Sequence, residues 1–566
     1  MTEIVWLLAD NPFGIMYILP FFSAVLAGYF LFKSKKSFAS SVVGLEKRAV
    51  IAIGIIAIGY LLFIIPGLEI FVPSDEEWMG LKQARELING DLSVFNHSQK
   101  GIGYVLAVSG VMMLFGQNEQ AAAMLNVGLA SVTIALVGLT AYVISRKSSA
   151  AVASSLAYAT LPLVVQFTSF KMGYPTLGGF FMALFSFIGV VLIKERSTTA
   201  YVTLWLVLAL AAQVKPEFSV LFIPATALGF YLFRDIRAIV AKSIKHRLFV
   251  ALSVIAIGIS LIPFVVKNHQ YNQGLRAVNG LTGLYQTQRA DYPEANDILR
   301  RASNGRLSFI YWWGDVGDLF SFAAGLQKGT FFGVILMGMI VMMSAIKRNR
   351  DEMFGIIFLF GSAIVVLSIY MAADVFLIRE SGRFVFYSLP ILAPIFGICL
   401  VLISEFIGKT HPFLLPIPYL LLIVYAINVS FDEIPRMANE LGANRYLMSV
   451  PQVKPIAESG DFDKSEVVFY TKQTNVINFL RFRGYRGHAF NDSNVINSGS
   501  SPDPKEVVKN LELPDWNSGL KRVMVVVPGD DIMNDELSSE TIRLIIETQA
   551  VSEKEFSSGA KTYILK

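Results

Sequence analysis

The sequence predicts an α-helical protein that crosses a membrane about twelve times and closes with a small C-terminal α/β domain. Three observations lead there. Long apolar runs recur from the N-terminus to about residue 430, the charged residues fall in clusters between those runs, and the composition turns globular from Asn444 onward. Hydrophobic residues make up 54% of the chain and charged ones only 16%, with a mean hydropathy of +0.55. Soluble domains run near ~45–50% apolar even when glycine is counted.

Runs long enough to cross ~30 Å of hydrocarbon occupy roughly 13–32, 49–70, 119–145, 149–167, 175–193, 200–214, 217–233, 248–266, 330–346, 354–374, 384–406 and 412–430. The segment before the first run is short and acidic (Glu3, Asp10). It lacks the basic region of a cleaved signal, so the first run reads as a retained span. A thirteenth run, 101–116, falls short of the usual ~20 residues, and charge decides its fate. Basic loops hold Lys33, Lys35, Lys36, Lys47 and Arg48, then Arg234, Arg237, Lys242, Lys245 and Arg247, then Lys347, Arg348 and Arg350. The positive-inside rule puts all of them in the cytoplasm. That happens only if 101–116 lies in the interface as a juxtamembrane helix. Both termini are then extracytoplasmic. Residues 1–443 form the transmembrane domain, with long external loops at 71–118 and 267–329, and 444–566 form an extracytoplasmic α/β domain.

Composition also excludes some chemistry. The single cysteine, Cys399, allows no intramolecular disulfide and no cysteine metal site. The five histidines (His97, His246, His269, His411, His488) show no ligand-like spacing. A net charge of +5, dispersed over short loops, reflects topology and not nucleic-acid binding.

The outer ends of the predicted spans collect Asp75, Glu76, Glu77, Lys171, Lys215, Glu217, Lys267, Arg379, Glu380 and Arg383, and no span carries a charge at its centre. A midplane charge costs ~2.5–3.5 kcal/mol on the lenient insertion scale. Ionisable groups gathered at one interface point to chemistry on a membrane-anchored head group. The rival reading, a lipid-linked saccharide flippase or other transporter, calls for a polar path or two related halves, and the sequence displays neither.

Four stretches carry the candidate residues. In Pro73-Ser74-Asp75-Glu76-Glu77-Trp78, Ser74 and Glu77 make a capping box that starts a helix. Asp75 and Glu76 are left either to complement the helix dipole or to act as a general base at the membrane surface. In Thr168-Ser169-Phe170-Lys171-Met172-Gly173-Tyr174-Pro175, Lys171 reads as a phosphate-binding point charge or as a snorkelling side chain. Lys215-Pro216-Glu217 and Arg379-Glu380-Ser381-Gly382-Arg383-Phe384 place cations at outer ends, against the positive-inside tendency. Binding a lipid phosphate accounts for them, and arginine's fork suits phosphate oxygens. In the long loop, Trp312 and Trp313 read as an interfacial belt or a sugar-stacking platform, and the loop itself as a lid. Asn96-His97-Ser98 and Asn491-Asp492-Ser493 are glycosylation sequons of low specificity.

In the tail, Glu466–Tyr470, Arg522–Val527 and Thr562–Leu565 read as strands, with helices near 473–483, 504–511 and 537–548. Residues 470–475 contain no glycine to admit a phosphate. The tail therefore reads as an accessory domain packed beside the active site.

Residues 50–405 resemble the GT-C superfamily of integral-membrane glycosyltransferases, and most closely its branch of protein O-mannosyltransferases and the lipid A aminoarabinose transferase. The resemblance rests on the Asp75-Glu76 pair with the trailing ARELINGD, on QVKPEF beside the branch's TKP element, and on SGRFVFYSLPILAP beside its RY-x-LP-x-x-P helix start. Gln99–Tyr104 (QKGIGY) sits where the branch carries a Pro-Pro stretch, without the prolines. The resemblance implies a polyprenyl-phosphate-sugar donor, an extracytoplasmic acceptor, inversion at the anomeric carbon and Asp75 as catalytic base. On that footing Glu76 orients the acceptor or holds a divalent ion, Lys171, Lys215 and Arg383 bind the donor phosphate, and Trp78, Tyr174 and Trp312 contact acceptor or sugar. The sugar, the acceptor and any metal requirement are not legible in the residues.

Overall fold

The computed structural model describes residues 14–64, 75–91, 102–165, 173–232, 350–372, 386–428, 445–489, 518–528 and 536–566, with a few isolated residues between. Its first part is helical. The elements are α1 (Gly14–Lys33), α2 (Lys35–Val42), α3 (Lys47–Ile64), α4 (Asp75–Ile88), α5 (Ile102–Phe115), α6 (Glu119–Ser145) and α7 (Ser148–Ala159). They continue with α8 (Pro162–Val165), α9 (Tyr174–Glu195), α10 (Thr198–Val214), α11 (Phe222–Leu232), α12 (Arg350–Ala372), α13 (Leu389–Thr410) and α14 (Ile417–Asn428).

Among the described residues three helices are long and apolar enough to cross a membrane: Glu119–Ser145, Tyr174–Glu195 and Leu389–Lys409. Five shorter apolar helices accompany them. The expected spans 248–266 and 330–346, and the loop 267–329 with Trp312, lie outside the described residues. On α3, Ile51, Ile55, Ile58 and Leu62 form an exposed apolar stripe while Ile53 and Tyr60 are buried behind it, as a lipid-facing helix requires.

Among the described residues three expected spans depart from a continuous helix, each at a proline. The run 217–233 opens as the 3₁₀ turn Pro216–Leu221. The run 149–167 stops at Ala159 and resumes at Pro162, because a residue preceding proline is pushed out of the α region. The run 412–430 opens as a 3₁₀ turn, Pro412–Leu414, before α14 begins at Ile417.

The bundle packs around α7, whose sequence SSAAVASSLAYA is nearly all small residues. Small faces let helix backbones approach closely where lipid supplies no hydrophobic drive between them. α7 accordingly touches α3, α6 and α13. A Cβ at Gly397 of α13 would stand 2.7 Å from the backbone nitrogen of Ser154, and one at Gly138 of α6 2.9 Å from the Ala151 carbonyl oxygen. Many hydroxyls inside the bundle are satisfied within their own helices, while others, such as Ser155 Oγ on Ile134 O at 3.0 Å, bond to a neighbouring helix. Thr133 Oγ1 donates to Leu129 O at 2.7 Å, Thr140 Oγ1 to Leu136 O at 2.7 Å and Ser186 Oγ to Met182 O at 2.9 Å.

The two ends of the bundle differ. At one, Arg146 Nη1 donates to Ser41 O at 2.6 Å, Lys147 pairs with Glu405 at 2.5 Å and Ser41 Oγ donates to Glu195 at 3.2 Å. This end therefore gathers α2 with its basic flanks, Arg146, Lys147 and Arg196. The 27 residues of α6 carry the chain ~40 Å to the other end, where Glu119 pairs with Arg483 of the tail at 3.0 Å. Helix α5, with 14 residues, reaches only ~21 Å. It starts beside the C-terminal end of α10 and leads directly into Glu119, so both its ends belong to the tail-facing end.

In the tail, α15 (Arg445–Glu458) precedes β1 (Val467–Thr471), α16 (Thr474–Phe482), β2 (Arg486–Ala489), β3 (Lys521–Val526), α17 (Glu536–Gln549), β4 (Ala550–Glu555) and β5 (Lys561–Leu565). The strands form one sheet of order β2-β1-β3-β5-β4. β1 is parallel to β2 and β3, while β5 runs antiparallel to β3 and β4. Strands β2 and β4 were not legible in the sequence. One alternates charged and small residues, and the other, AVSEKE, is an exposed edge whose charges discourage pairing with another chain. Lys561 there bonds Glu553 at 2.8 Å and Glu555 at 3.4 Å. That contact, led by the hydrogen bond the ammonium donates to Glu553, pushes its pKa up to about 12. Val467 and Phe469 of β1 join a core continuous with the membrane helices, whereas Val468 and Tyr470 face α17.

Gly397→Val is expected to overpack the α7–α13 contact and destabilise the protein by about 1–3 kcal/mol. Thermal unfolding in detergent checks this, and an unchanged midpoint would show that the two helices can part there at no cost.

Candidate active site

The site forms where helices break at the tail-facing end. Proline drives the first break. Pro216 cannot continue a helix and pushes its predecessor into extended backbone, so α10 ends at Val214 and Lys215 adopts φ −150°, ψ 115°. A 3₁₀ turn, Pro216–Leu221, follows. Lys215 is only 8% exposed. Its ammonium lies 5.1 Å from the ring centre of Tyr387 and 5.7 Å from that of Tyr174, within the range in which a ring face attracts a cation.

The tyrosines are placed by their own helix starts. Tyr174 opens α9, with Pro175 presetting the first-turn φ. Tyr387 lies two residues before α13 and is held edge-on by Phe218, ring centres 4.8 Å apart. Two glycines make this possible. A Cβ at Gly178 would stand 2.7 Å from Tyr387 Cε1 and 2.9 Å from Phe218 Cζ, and one at Gly179 would stand 2.8 Å from Phe386 Cε1. One turn into α9, the helix surface is thus cut away to receive Phe386 and Tyr387.

Tyr104 extends the aromatic wall, its ring centre 6.5 Å from that of Tyr174. It links Lys215 to the helix that opens with Asp75. Gly103 packs on the backbone of Gln213 and Val214, and Gly80 of α4 packs on the Tyr104 ring, a Cβ there standing 3.0 Å from Cε1. Helices α4 and α5 run in the same direction, since Ser109 Oγ donates to Ala84 O at 3.2 Å further along both. Asp75 lies five residues before Gly80, or ~7.5 Å along the axis.

The structure therefore brings Tyr174 and Lys215 together, and Tyr104 joins them to α4, whose first two residues are Asp75 and Glu76. Trp78 is elsewhere. It is 1% exposed, with Phe479 and Phe482 of the tail at ring-centre distances of 5.1 and 5.3 Å. Its environment is an apolar junction and not a sugar platform. Lys171, Arg379, Glu380, Arg383 and Trp312 lie outside the described residues. Tyr104 and Tyr387 were not singled out from the sequence. The signal available was the Gly178-Gly179 pair, which marks a close approach on α9. Among the described residues no group of three or more His, Cys, Asp or Glu is placed to hold a metal.

The chemical capacity of this arrangement is specific. A desolvated ammonium with three donors, walled by tyrosine rings, suits an anion that brings its own apolar chain from the membrane. Gly178→Val would push Tyr387 away from Lys215. Its expected effect is a stability loss of about 1–3 kcal/mol, read as a lower unfolding midpoint in detergent.

Comparisons with known proteins agree with this anatomy. Residues 99–262, which include Tyr104, Tyr174 and Lys215, match the sequence model of the dolichyl-phosphate-mannose-protein mannosyltransferase family. The structure is similar to the crystal structure of ArnT from Cupriavidus metallidurans in the apo state, at 13% identity and TM-score 0.57, covering 91% of this chain and 97% of that one. The same protein bound to undecaprenyl phosphate matches at 12% identity and TM-score 0.56, over 91% and 97% of the two chains. The archaeal oligosaccharyltransferase AglB from Archaeoglobus fulgidus, in complex with an inhibitory peptide and a dolichol-phosphate, matches at 11% identity and TM-score 0.55, over 92% and 74%. No curated protein matches by sequence. The chain is thus a multi-pass membrane protein with the GT-C fold, and its residues 99–262 carry the sequence pattern of that mannosyltransferase family.

Proposed function

We propose that this protein transfers a sugar from a polyprenyl-phosphate-linked donor to an extracytoplasmic acceptor hydroxyl, with inversion at the anomeric carbon. The observation that carries the reading is the buried Lys215 ammonium between Tyr174 and Tyr387, joined through Tyr104 to the helix that opens with Asp75. Two similar proteins hold a lipid phosphate, undecaprenyl phosphate in ArnT and dolichol-phosphate in AglB. Orientation follows from charge. The end with Arg146, Lys147 and the flanks of α2 is the cytoplasmic one by the positive-inside tendency, which makes the Lys215 end and the 444–566 domain extracytoplasmic.

The reaction is a direct displacement. The Asp75 carboxylate accepts the acceptor hydroxyl's proton as that oxygen attacks the anomeric carbon. The bond from that carbon to the phosphate oxygen breaks, and the polyprenyl phosphate departs with the bonding electrons and an added negative charge. Lys215, with Lys171 and Arg383, stabilises that charge as preorganised cations. Glu76 orients the acceptor, and Tyr174 lines the path of the sugar.

Asp75→Asn is expected to lower transfer about 10²–10⁴-fold in membranes supplied with labelled polyprenyl-phosphate sugars, with the protein still folded. Full activity in that variant would end the assignment. Lys215→Ala removes one charge-stabilising donor set and is expected to cost about 10²–10³ in kcat. An unchanged rate would show that Lys215 holds the aromatic wall together and nothing more. Mass comparison of surface glycoconjugates from cells with and without the gene identifies sugar and acceptor together.

A further inference from the structure

Helix α4 cannot hold itself in place. It has 14 residues and a polar composition, and isolated helices below ~12–15 residues are marginal in water. Its Lys82–Glu86 pair, 3.3 Å apart on a half-exposed face, adds only a few tenths of a kcal/mol by the usual worth of such pairs. Packing must therefore set its position. One side rests on α5 through Gly80 and Ala84. The other side presents Trp78, and what receives it is the tail.

Trp78 fits between Phe479 and Phe482, which lie three residues apart on one face of α16. Among the described residues its indole nitrogen has no hydrogen-bond partner, so ring packing alone holds it. Arg85, seven residues on, donates from Nη1 to Phe482 O at 2.7 Å. That carbonyl is one of the last in α16, which the helix itself leaves unsatisfied. Two turns of α4 are thereby tied to one helix of the tail.

α16 has its own anchor on the membrane bundle. Arg483 caps its C-terminal end and pairs with Glu119 of α6 at 3.0 Å and with Glu458 of α15 at 3.5 Å, while Lys454 stands 3.8 Å from Glu119. The Arg483 guanidinium also lies 5.3 Å from the Phe479 ring centre. The base-bearing helix is therefore gripped between α5 and a tail helix bolted to α6.

We propose that the tail serves the reaction as a clamp: Phe479, Phe482 and Arg483 are positioning residues that fix α4, and with it Asp75, against the Lys215 site. The inference rests on the reading of Asp75 as the base. Asp75 and Trp78 are three residues apart, neighbours on the helix surface and ~4.5 Å apart along its axis. A shift at the indole is passed to the carboxylate within one turn, and a misplacement of about 1 Å can cost 10²-fold in rate.

The test uses the full-length protein with four variants: Phe479→Ala, Phe479→Met, Arg483→Gln and Asp75→Asn. Expected for Phe479→Ala is a kcat lower by about tenfold or more, with the KM for the polyprenyl-phosphate-linked donor unchanged and thermal stabilisation by added polyprenyl phosphate retained. Phe479→Met, whose thioether refills the space beside the indole, restores most of the rate. If Phe479→Ala loses that stabilisation it has lost its fold, and Arg483→Gln then decides by the same kcat and KM criterion. A folded variant with unchanged kcat, or a loss carried by donor KM, overturns the clamp. Asp75→Asn separates the two ideas: if it is inactive while Phe479→Ala is fully active, only the clamp fails, and if it is itself active the base assignment fails.

Discussion

Hydrocarbon offers no partner to an unsatisfied polar group, and the placement of many buried hydroxyls and of the ion pairs described in the bundle follows from that constraint. Buried serines and threonines turn their hydroxyls onto carbonyls one turn back in the same helix, as Thr133, Thr140, Ser186 and Ser362 do. Ion pairs gather at the ends, Lys147 with Glu405 at one and Arg483 with Glu119 at the other. Lys215 meets the same constraint at a helix end. It is buried, but Pro216 has already broken the helix, and the ring faces of Tyr174 and Tyr387 line its surroundings.

The site owes its shape to missing side chains as much as to present ones. Gly178 and Gly179 open the surface of α9 to Phe386 and Tyr387, Gly80 opens α4 to Tyr104, and Gly103 opens α5 to the end of α10. Each close approach brings a different stretch of chain to one spot. The same device builds the bundle behind it, where the small residues of α7 admit α6 and α13. Catalytic geometry of the kind proposed needs groups held to fractions of an ångström, and close-packed aromatic and glycine surfaces supply that rigidity.

Some of the residues proposed for the site were singled out from the order of residues alone. Lys215 stood out as a cation at an outer helix end and Tyr174 was named beside Lys171, and the structure sets the Lys215 ammonium 5.7 Å from the Tyr174 ring centre. Tyr104 and Tyr387 were not singled out, since an aromatic residue in an apolar run looks the same whether it fills the core or lines a site. Trp78 illustrates the reverse error. Its place beside Asp75 and Glu76 suggested contact with substrate, yet the ring is spent on Phe479 and Phe482. An indole serves packing and recognition through the same surface, and only its neighbours distinguish them.

By itself the sequence determined what is local and one-dimensional: helices near 119–145 and 175–193 where apolar runs match the bilayer, a break at Pro216, and charges kept to the ends. Those properties depend on hydrophobicity summed over ~20 residues and on backbone sterics at proline. The tertiary structure alone decided which aromatics meet Lys215 and that a helix near residue 480 grips one near residue 80. Contacts between segments hundreds of residues apart arise from shape complementarity in three dimensions, which no property of either segment taken alone encodes.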